Sequence, residues 1–300
     1  MNREEVYSVL ISALEKELEF LNCKPDETAE STLKVLWMTA AGKPCSVAAA
    51  MNQALPELTE TQISDLKNLV RRRLGNEPLS YIAGRQNFMG VELLSTNQAL
   101  IPRKETEILG YKALDISLEI VEKEQNPIVF DICCGSGNLG IALAKLNPAI
   151  DVYAGDISEE AIRLANDNIK HLNLEKRVKA RQSDMFEAFR NYGFNNRIDI
   201  IVCNPPYISS GKVPKMDTEI SLNEPSVAFD GGVFGFSIIQ RLIRESHEFL
   251  NPVTGWLLFE VGSGQGEMII NLCKKTGLYK DIDSVKDKSG VIRVLLMKKN

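Results

Sequence analysis

The first 74 residues carry apolar side chains at helical spacing, which predicts a small bundle of about four helices. The clearest stripe recurs every four residues on a charged segment and consists of Val6, Leu10, Leu14 and Leu18. The pattern is interrupted near residues 22–26, 41–44 and 55–58. Thr59 followed by Gln62 has the spacing of a capping box and predicts the start of the last helix. The basic run at 71–73 suits either cations at a helix C-terminus or contact with a partner.

From residue 126 onward, short apolar runs alternate with helical ones. The strand-like runs are PIVFDIC, DVYAGD, VKARQSD, IDIIVCN and GWLLFEVG, followed by residues 282–286 and 291–297. Strands separated by helices favour right-handed crossovers, so we predict an α/β fold with a doubly wound, mostly parallel sheet of seven strands. The last two runs are close enough in sequence to pair as a hairpin.

The segment between these two regions has a third character. Residues 76–104 mix a turn, short extended pieces and a helix start, which indicates a connector with a short β-hairpin. We therefore predict a helical domain over 1–75, the connector over 76–104 and the α/β domain over 105–300.

Composition narrows the class of protein. The chain of 300 residues is 44% hydrophobic and 25% charged, a globular profile with room for one large and one small domain. It shows no signal-peptide core and no apolar run near ~20 residues, so we expect a cytoplasmic protein away from membranes. The net charge of -5 argues against stable nucleic-acid binding. Six cysteines without a CxxC pair and only two histidines predict reduced thiols and no metal. We also expect a monomer.

A glycine-rich loop follows the first predicted strand of the sheet, where ligands bind in doubly wound folds. In DICCGSGNLG, the residues Gly135, Gly137 and Gly140 match GxGxxG, and Asp156 ends the next strand 21 residues after Gly135. This spacing is typical of a site that holds an adenosine cofactor, with the acid on the ribose hydroxyls. Both a nicotinamide cofactor and S-adenosylmethionine carry adenosine, so either fits this site. A strand-to-helix turn that binds no ligand is the third interpretation.

The acids beside the loop favour a methyltransferase over a dehydrogenase. A pyrophosphate prefers helix N-terminal amides and no nearby anion, whereas Asp131 directly before the loop suits the ammonium of a methionine moiety. Asp184, at the end of the third strand, can accept from an adenine amino group or cap the next helix. A second glycine-rich stretch, EVGSGQGE, lacks the lysine of a phosphate loop and predicts a strand-to-helix turn.

The tetrapeptide Asn204-Pro205-Pro206-Tyr207 follows the fourth strand. The two prolines stiffen the loop and remove two backbone donors, which leaves carbonyl acceptors. The side-chain oxygen of Asn204 and the carbonyl of Pro205 can together receive the two hydrogens of a planar NH2 group, with the ring of Tyr207 over its π system. Such a nitrogen is a poor nucleophile, so alignment worth about 7 to 11 kcal/mol can replace a general base. A rigid exit turn is the simpler alternative.

Together these residues resemble those of the release-factor glutamine methyltransferases. The similarity runs from about residue 71 to the C-terminus through RRRLGNEPLSYIAGRQNFMG, LIPRKETE, NPPYI, NEPSVAFDGGVFG and FEVGSGQGE, in the family's order. The resemblance implies methyl transfer from S-adenosylmethionine to the side-chain amide of the glutamine in the Gly-Gly-Gln loop of a peptide chain release factor. S-adenosylhomocysteine is the implied product. The helical domain over 1–75 is then expected to recognise the substrate, and 105–300 to be the methyltransferase domain.

Carried over residue by residue, the resemblance predicts a catalytic and substrate-binding set of Asn204, Pro205, Pro206 and Tyr207. With the acids at the strand ends, the predicted cofactor contacts are Asp131, Cys133, Cys134, Gly135, Ser136, Gly137, Asp156, Asp184, Met185 and Asn204. Three positions depart from the family, which usually has glycine at Cys133, proline at Lys104 and an aromatic residue at Met185. Cys133 can narrow the methionine pocket, while Met185 can still cover an adenine face through its polarizable side chain.

Several other functions stay open at this point. A ribosomal-protein glutamine methyltransferase shares the chemistry and differs in the helical domain and connector. A DNA adenine methyltransferase shares Asn-Pro-Pro-Tyr, but this chain lacks a basic target-recognition domain. A nicotinamide-dependent oxidoreductase shares the glycine loop, but no proton relay is recognisable in the sequence. A non-catalytic adaptor with the same fold is the last alternative.

Overall fold

A computed structural model describes residues 3–21, 24–123, 126–208, 217–229 and 236–300. The chain separates into two compact units. The smaller unit comprises Met1–Asn97, Ile101–Lys104 and Asp217–Glu224, and the larger one Gln98–Leu100, Glu105–Met216 and Pro225–Asn300. The smaller unit therefore includes a segment from far downstream in the chain. The predicted domain boundaries at 75 and 104 stay a prediction.

The helices and strands of the described residues are as follows. The helices are α1 (Arg3–Glu17), α2 (Ala29–Ala40), α3 (Val47–Met51), α4 (Glu60–Leu74), α5 (Leu79–Ala83), α6 (Thr106–Val121), α7 (Asn138–Leu146), α8 (Glu159–His171), α9 (Thr218–Asn223), α10 (Ser237–Phe249) and α11 (Gly266–Thr276). The strands are β1 (Arg85–Phe88), β2 (Val91–Leu94), β3 (Ile128–Ile132), β4 (Asp151–Asp156), β5 (Val178–Gln182), β6 (Ile200–Cys203), β7 (Trp256–Glu260), β8 (Tyr279–Lys286) and β9 (Ile292–Lys299). Short 3-10 helices span Glu187–Tyr192 and Ser226–Ala228.

The smaller unit is built from α1 to α5, the β1–β2 hairpin and α9. Its core contains the predicted stripe of Val6, Leu10, Leu14 and Leu18, which is buried, as the four-residue period requires. Helices α1 to α4 confirm the predicted bundle, and the interruptions near 41–44 and 55–58 fall between helices. Residues 22 and 23 of the first predicted interruption lie outside the described residues.

Helix α4 starts with the capping box that the sequence predicts. The backbone N–H of Gln62 donates to Thr59 Oγ1 over 3.3 Å, and the N–H of Thr59 donates to Gln62 Oε1 over 2.9 Å. Two N–H groups that the first turn would leave unpaired are thereby satisfied, and such a cap contributes about 1 kcal/mol.

The larger unit is organised around a seven-stranded sheet of order β5-β4-β3-β6-β7-β9-β8. The pairs from β5 to β7 are parallel, and β9 runs antiparallel to both β7 and β8. This confirms the predicted doubly wound sheet and its final hairpin. Strand order reverses between β3 and β6, which is where such sheets open a crevice for ligands.

The central strand β6 shows why the apolar runs form strands here. All four of its residues are fully buried, as expected for a parallel strand covered on both faces. Beside it on β3, Phe130 packs against Phe189 and Phe194 with ring centroids 4.8 and 5.3 Å apart. This aromatic core holds the strands rigid below the edge where β3 and β6 end. Among the described residues, no helix combines the length and apolar character that a membrane crossing requires.

Candidate active site

Three strand ends meet at one edge of the sheet. In the register of the parallel strands, Ile132 on β3 lies opposite Gly155 on β4 and opposite Cys203 on β6. The glycine loop that follows Ile132 therefore emerges between Asp156 and Asn204. The structure thus brings the predicted cofactor loop, the predicted ribose acid and the predicted substrate loop to the same crevice.

The glycine loop needs its glycines for two different reasons. Gly135 and Gly137 have φ of +53° and +78°, a left-handed conformation that costs a residue with a side chain. Gly140 is required by space, because a Cβ there would lie 2.7 Å from Val152 Cγ1 and 3.1 Å from Asp131 Oδ2. The absence of a side chain lets α7 pack directly on the strands. The loop can therefore present backbone groups at close range to a ligand.

Asp131 is a fully buried carboxylate with one oxygen in use. Its Oδ2 accepts from the N–H of Gly140 over 2.8 Å, while its Oδ1 has no hydrogen-bond partner in the described part of the chain. Burial raises the pKa of Asp131 to about 7; the Gly140 N–H opposes this shift and the charge of Asp156 adds to it. A buried, oriented and unsatisfied carboxylate oxygen fits a cationic donor such as an ammonium group.

Asp156 is held in place by the backbone on both sides. Its Oδ2 accepts from the N–H of Gly135 and its Oδ1 from the N–H of Ser158, each over 2.9 Å. Burial raises the pKa of Asp156, and these N–H groups oppose the shift. Each carboxylate oxygen keeps a further lone pair. The side chain can therefore accept from two neighbouring hydroxyl groups, as a ribose presents them.

The two polar residues inside the loop are both buried. Ser136 Oγ has no hydrogen-bond partner among the described residues, and the Ser136 carbonyl accepts from Asn168 Nδ2 over 3.2 Å. Burial, together with the charges of Asp131 and Asp156, raises the pKa of the Cys134 thiol well above its ordinary value. Cys134 is therefore a neutral thiol, whereas Ser136 offers a second unsatisfied group to a ligand. Cys133 has a φ of +57°, which suits the glycine that the family usually has at this position.

Asp184 and Met185 follow β5, the strand beyond β4. Asp184 Oδ1 accepts from Arg241 Nη1 over 2.8 Å, and its side chain stays half exposed. Met185 is only 5% exposed and belongs to the core cluster that contains Phe186 and Phe189. Their predicted contacts with an adenine ring stay a prediction.

Asn204 is oriented by a hydrogen bond that the sequence did not predict. Its Nδ2 donates to Thr106 Oγ1 over 3.2 Å, and Thr106 Oγ1 donates to Glu260 Oε2 over 2.7 Å. Asn204 Oδ1 and the Pro205 carbonyl accept no hydrogen bond from the residues that the structure describes. The two acceptors assigned to the substrate amide are thus available.

Tyr207 is fixed by the segment that the sequence identified only as a turn. Its hydroxyl donates to Glu260 Oε1 over 2.9 Å, and its carbonyl accepts from Gln265 Nε2 over 3.0 Å. A Cβ on Gly262 would lie 3.0 Å from Tyr207 Cδ2, so the glycine backbone lies against the ring. Burial raises the pKa of Tyr207 well above its ordinary value, and the charge of Glu260 adds to this shift. The phenol therefore stays protonated and donates.

EVGSGQGE does form the predicted turn between β7 and α11, but it also supplies the residues that hold Tyr207. One signal for this was present in the sequence, since Glu260 is an acid at the carboxyl end of an apolar strand. Thr106 carries no such signal, because it lies 98 residues before Asn204. Residues 230–235 of NEPSVAFDGGVFG lie outside the described residues, and the described ones contain no group of acidic, cysteine or histidine side chains arranged for a metal.

The comparisons with known proteins agree with this geometry. Residues 111–224 match the family model "Methyltransferase small domain". The N-terminal domain of human METTL16, solved in complex with SAH, superposes with a TM-score of 0.51 over 70% of this chain and 76% of that one, at 15% identity. The fold and the family model thus place the chain with the methyltransferases.

The curated relatives give the particular family. The release factor glutamine methyltransferase of Thermodesulfovibrio yellowstonii is 34% identical over 82% of this chain and 85% of its own length. That of Rhodopirellula baltica is 32% identical over 95% of both chains. The chain therefore belongs to the release factor glutamine methyltransferase family, which confirms the resemblance seen in the sequence.

Proposed function

We propose that this protein transfers a methyl group from S-adenosylmethionine to the side-chain amide nitrogen of the glutamine in the Gly-Gly-Gln loop of a peptide chain release factor. The observation that carries the proposal is a pair of available acceptors, Asn204 Oδ1 and the Pro205 carbonyl, on a stiff loop beside Asp131. A primary amide offers two in-plane donors that such a pair matches.

The cofactor side of the crevice is assigned from its unsatisfied groups. We assign Asp131 Oδ1 to the ammonium of the methionine moiety and Asp156 to the ribose hydroxyls, which their available lone pairs support. Asp184 and Met185 are assigned to the adenine. S-adenosylmethionine supplies a methyl group activated by its positive sulfur, and its product S-adenosylhomocysteine is the ligand named for the METTL16 structure.

The substrate side works by orientation and electrostatics. The amide nitrogen gains positive charge as it is alkylated, so acceptors aligned with its two N–H bonds bind the transition state more tightly than the ground state. Pro205 and Pro206 restrict the loop, and the contacts of Glu260 and Gln265 with Tyr207 hold the aromatic face. Alignment of this kind supplies on the order of 7 to 11 kcal/mol, so a general base is unnecessary during the transfer. The methylated nitrogen, positively charged after the transfer, then loses one N–H proton to water.

A release factor as substrate is supported by the names of the curated relatives. The test incubates the protein with methyl-labelled S-adenosylmethionine, a release factor, ribosomal proteins and DNA, and maps the labelled residue by mass spectrometry. We expect label on the Gly-Gly-Gln glutamine. A release factor with that glutamine replaced by glutamate should stay unlabelled. Label in DNA, in a ribosomal protein or in no acceptor at saturating cofactor contradicts the proposal.

The variant Asn204→Ala separates binding from transfer. We expect its affinity for S-adenosylmethionine to stay within several-fold of the parent while turnover falls about 100-fold, the cost of one oriented polar group in a transition state. Asn166→Ala is a matched control, because Asn166 Nδ2 donates to the Ile162 carbonyl within α8 and not in the crevice. Unchanged turnover in Asn204→Ala would remove the amide clamp from the mechanism.

A further inference from the structure

A buried chain of hydrogen bonds lies behind the substrate loop, in which Asn204 donates to Thr106 and Thr106 donates to Glu260. We propose that Thr106 and Glu260 are positioning residues that hold the Asn204 side chain with its oxygen toward the substrate. This inference rests on the proposed function. Thr106 is 1% exposed and Glu260 is 3% exposed, so water does not replace either of them.

The direction follows from counting protons along the chain. Burial raises the pKa of Glu260, whereas the hydroxyls of Thr106 and Tyr207 lower it because they donate to the ionised form. As a carboxylate, Glu260 only accepts, and it receives the hydroxyls of Tyr207 and Thr106 on its two oxygens, over 2.9 and 2.7 Å. Thr106 has a single hydroxyl proton, which Glu260 already receives. Toward Asn204, Thr106 can therefore only accept. Asn204 must turn its NH2 group to Thr106, over 3.2 Å, and its Oδ1 to the opposite side.

This direction matters because the two ends of an asparagine amide have nearly the same shape. Rotated by half a turn, Asn204 would present NH2 to the NH2 group of the substrate glutamine, and two donors would face each other. A buried donor left without an acceptor in the transition state slows transfer by a factor of about ten or more. Asn204 alone cannot choose between the two orientations, whereas a neighbour that can only accept makes the choice. Glu260, two hydrogen bonds away from Asn204, thus determines that the Asn204 oxygen faces the substrate.

The same carboxylate fixes both partners of the substrate amide. Glu260 Oε2 acts on Asn204 through Thr106, and Glu260 Oε1 holds the Tyr207 hydroxyl directly. Glu260 ends β7, the strand next to β6, so its place is set by the sheet itself. Glu260 therefore holds both the Asn204 acceptor and the Tyr207 ring in fixed positions relative to the sheet.

The test compares Thr106→Val, Thr106→Ala and Thr106→Ser with the parent. We measure the thermal midpoint, the affinity for S-adenosylmethionine by calorimetry, and kcat and KM with a release factor. Thr106→Val and Thr106→Ala should each lower kcat at least tenfold, with KM for the release factor and cofactor affinity changed less than threefold. Thr106→Ser keeps the hydroxyl and should restore kcat to within threefold of the parent.

Thr254→Val is the matched control. Thr254 also donates its hydroxyl to a buried carboxylate, that of Asp199, which directly precedes β6 at the opposite end of that strand. Thr254→Val should lower the thermal midpoint about as much as Thr106→Val does and leave kcat unchanged. A Thr106→Val or Thr106→Ala enzyme with kcat within threefold of the parent overturns the inference, and so does a Thr106→Ser enzyme as slow as they are. Failure of the parent to methylate a release factor overturns the proposed function instead.

Discussion

Buried acids occur in both units of the molecule, and in the smaller unit two acids form ion pairs with buried cations. There Arg73, only 1% exposed, contacts Glu27 at 3.3 Å and Glu219 at 2.7 Å. Lys24 also pairs with Glu219 and lies 3.9 Å from Glu27. Two cations and two carboxylates thus neutralise one another within the unit.

The larger unit treats its buried acids differently. Asp131, Asp156 and Glu260 form no ion pair with any lysine or arginine that the structure describes, and receive only N–H or O–H donors. An acid without a cation raises the free energy of the fold, since burial favours its neutral form. Where the smaller unit pairs acids with cations, the larger unit has these three acids at a crevice without an ion pair to a described lysine or arginine. We infer that a ligand brings the missing positive charge.

The largest expected effect tests the paired acids. Arg73→Met leaves Glu27 and Glu219 with a single cation, so we expect the smaller unit to lose about 3 to 5 kcal/mol of unfolding free energy. Denaturant unfolding followed by the fluorescence of the buried Trp37 measures this, in a Trp256→Phe background that removes the second tryptophan.

The matched control for this change is one residue earlier on the same helix. Arg72 is 42% exposed and pairs with Glu77 at the surface, so Arg72→Met should cost under about 1 kcal/mol. The pH dependence gives a second check. Burial raises the pKa of Glu219, but the charges of Lys24 and Arg73 outweigh it and hold this pKa below its ordinary value. The stabilisation by the ion pairs is therefore fully present above the ordinary pKa of a glutamate and is lost as the pH falls through the pKa of the folded state. Equal losses in the two methionine variants would show that the buried pairing is not structural.

The next largest effect tests the unpaired acids. Asp131→Asn keeps an acceptor for the Gly140 N–H but removes the charge, so we expect about 100-fold weaker binding of S-adenosylmethionine, near the upper range for a charged hydrogen bond. Stability should stay the same or rise, because a buried charge is lost. Calorimetric titration and denaturant unfolding measure the two quantities.

Asp199→Asn is the control, for which we expect the opposite pattern: a loss of stability without a loss of cofactor affinity. Asp199 is a buried acid at the other end of β6, where it accepts from the N–H of Ile128 over 2.9 Å. This change should lower stability by roughly 1 to 2 kcal/mol and leave cofactor affinity unchanged. If Asp131→Asn binds the cofactor as tightly as the parent, the unpaired charge has another purpose.

The sequence predicted the parts of this comparison that depend on local pattern. Apolar runs gave the sheet, and because parallel strands end at one edge, the crevice around Asp131, Asp156 and Asn204 followed. The partners of Glu260 depended on β7 lying next to β6, and spacing along the chain does not encode strand order. The buried ion pairs join Glu219 to residues 146 and 195 positions away.

Arg73 is the instructive exception, because a local signal for it existed. It lies three residues after Val70 and seven after Leu66, on the buried face of α4, whereas Arg72 falls on the exposed face. Helical phase therefore separated a structural arginine from a surface one within the run at 71–73. The run as a whole suggested only helix-terminal cations or partner contact.

The third prediction uses the pKa of Asp131 near 7. Because burial raises this pKa, the carboxyl is protonated below about pH 7 and must lose the proton to bind an ammonium group. Affinity for S-adenosylmethionine should therefore be constant above about pH 8 and fall roughly tenfold per pH unit below 7. Titrations across pH measure this, and Asp131→Asn should remove the dependence. An unchanged slope in that variant would assign it to another group.

Linkage gives Asp131 the opposite sign to Glu219 in the unliganded protein. The folded state holds this proton up to about pH 7, whereas the ordinary pKa of the group is 3.8. Between these values the folded state binds more protons than the unfolded state, so this group lowers stability as pH rises.

The smallest expected effect concerns backbone strain at the same crevice. Cys133 holds a left-handed φ of +57°, which costs a residue with a Cβ about 1 to 2 kcal/mol, and glycine relieves it. Glycine also adds entropy to the unfolded chain, worth about 0.4 to 1 kcal/mol. Cys133→Gly should therefore be about 1 kcal/mol more stable than Cys133→Ala, which removes the same thiol but keeps the Cβ. Denaturant unfolding of the pair measures the difference. If Cys133→Ala is as stable as Cys133→Gly, backbone strain at Cys133 does not lower the stability of the larger unit. The acids without an ion pair to a described residue are then the remaining destabilising feature of this site.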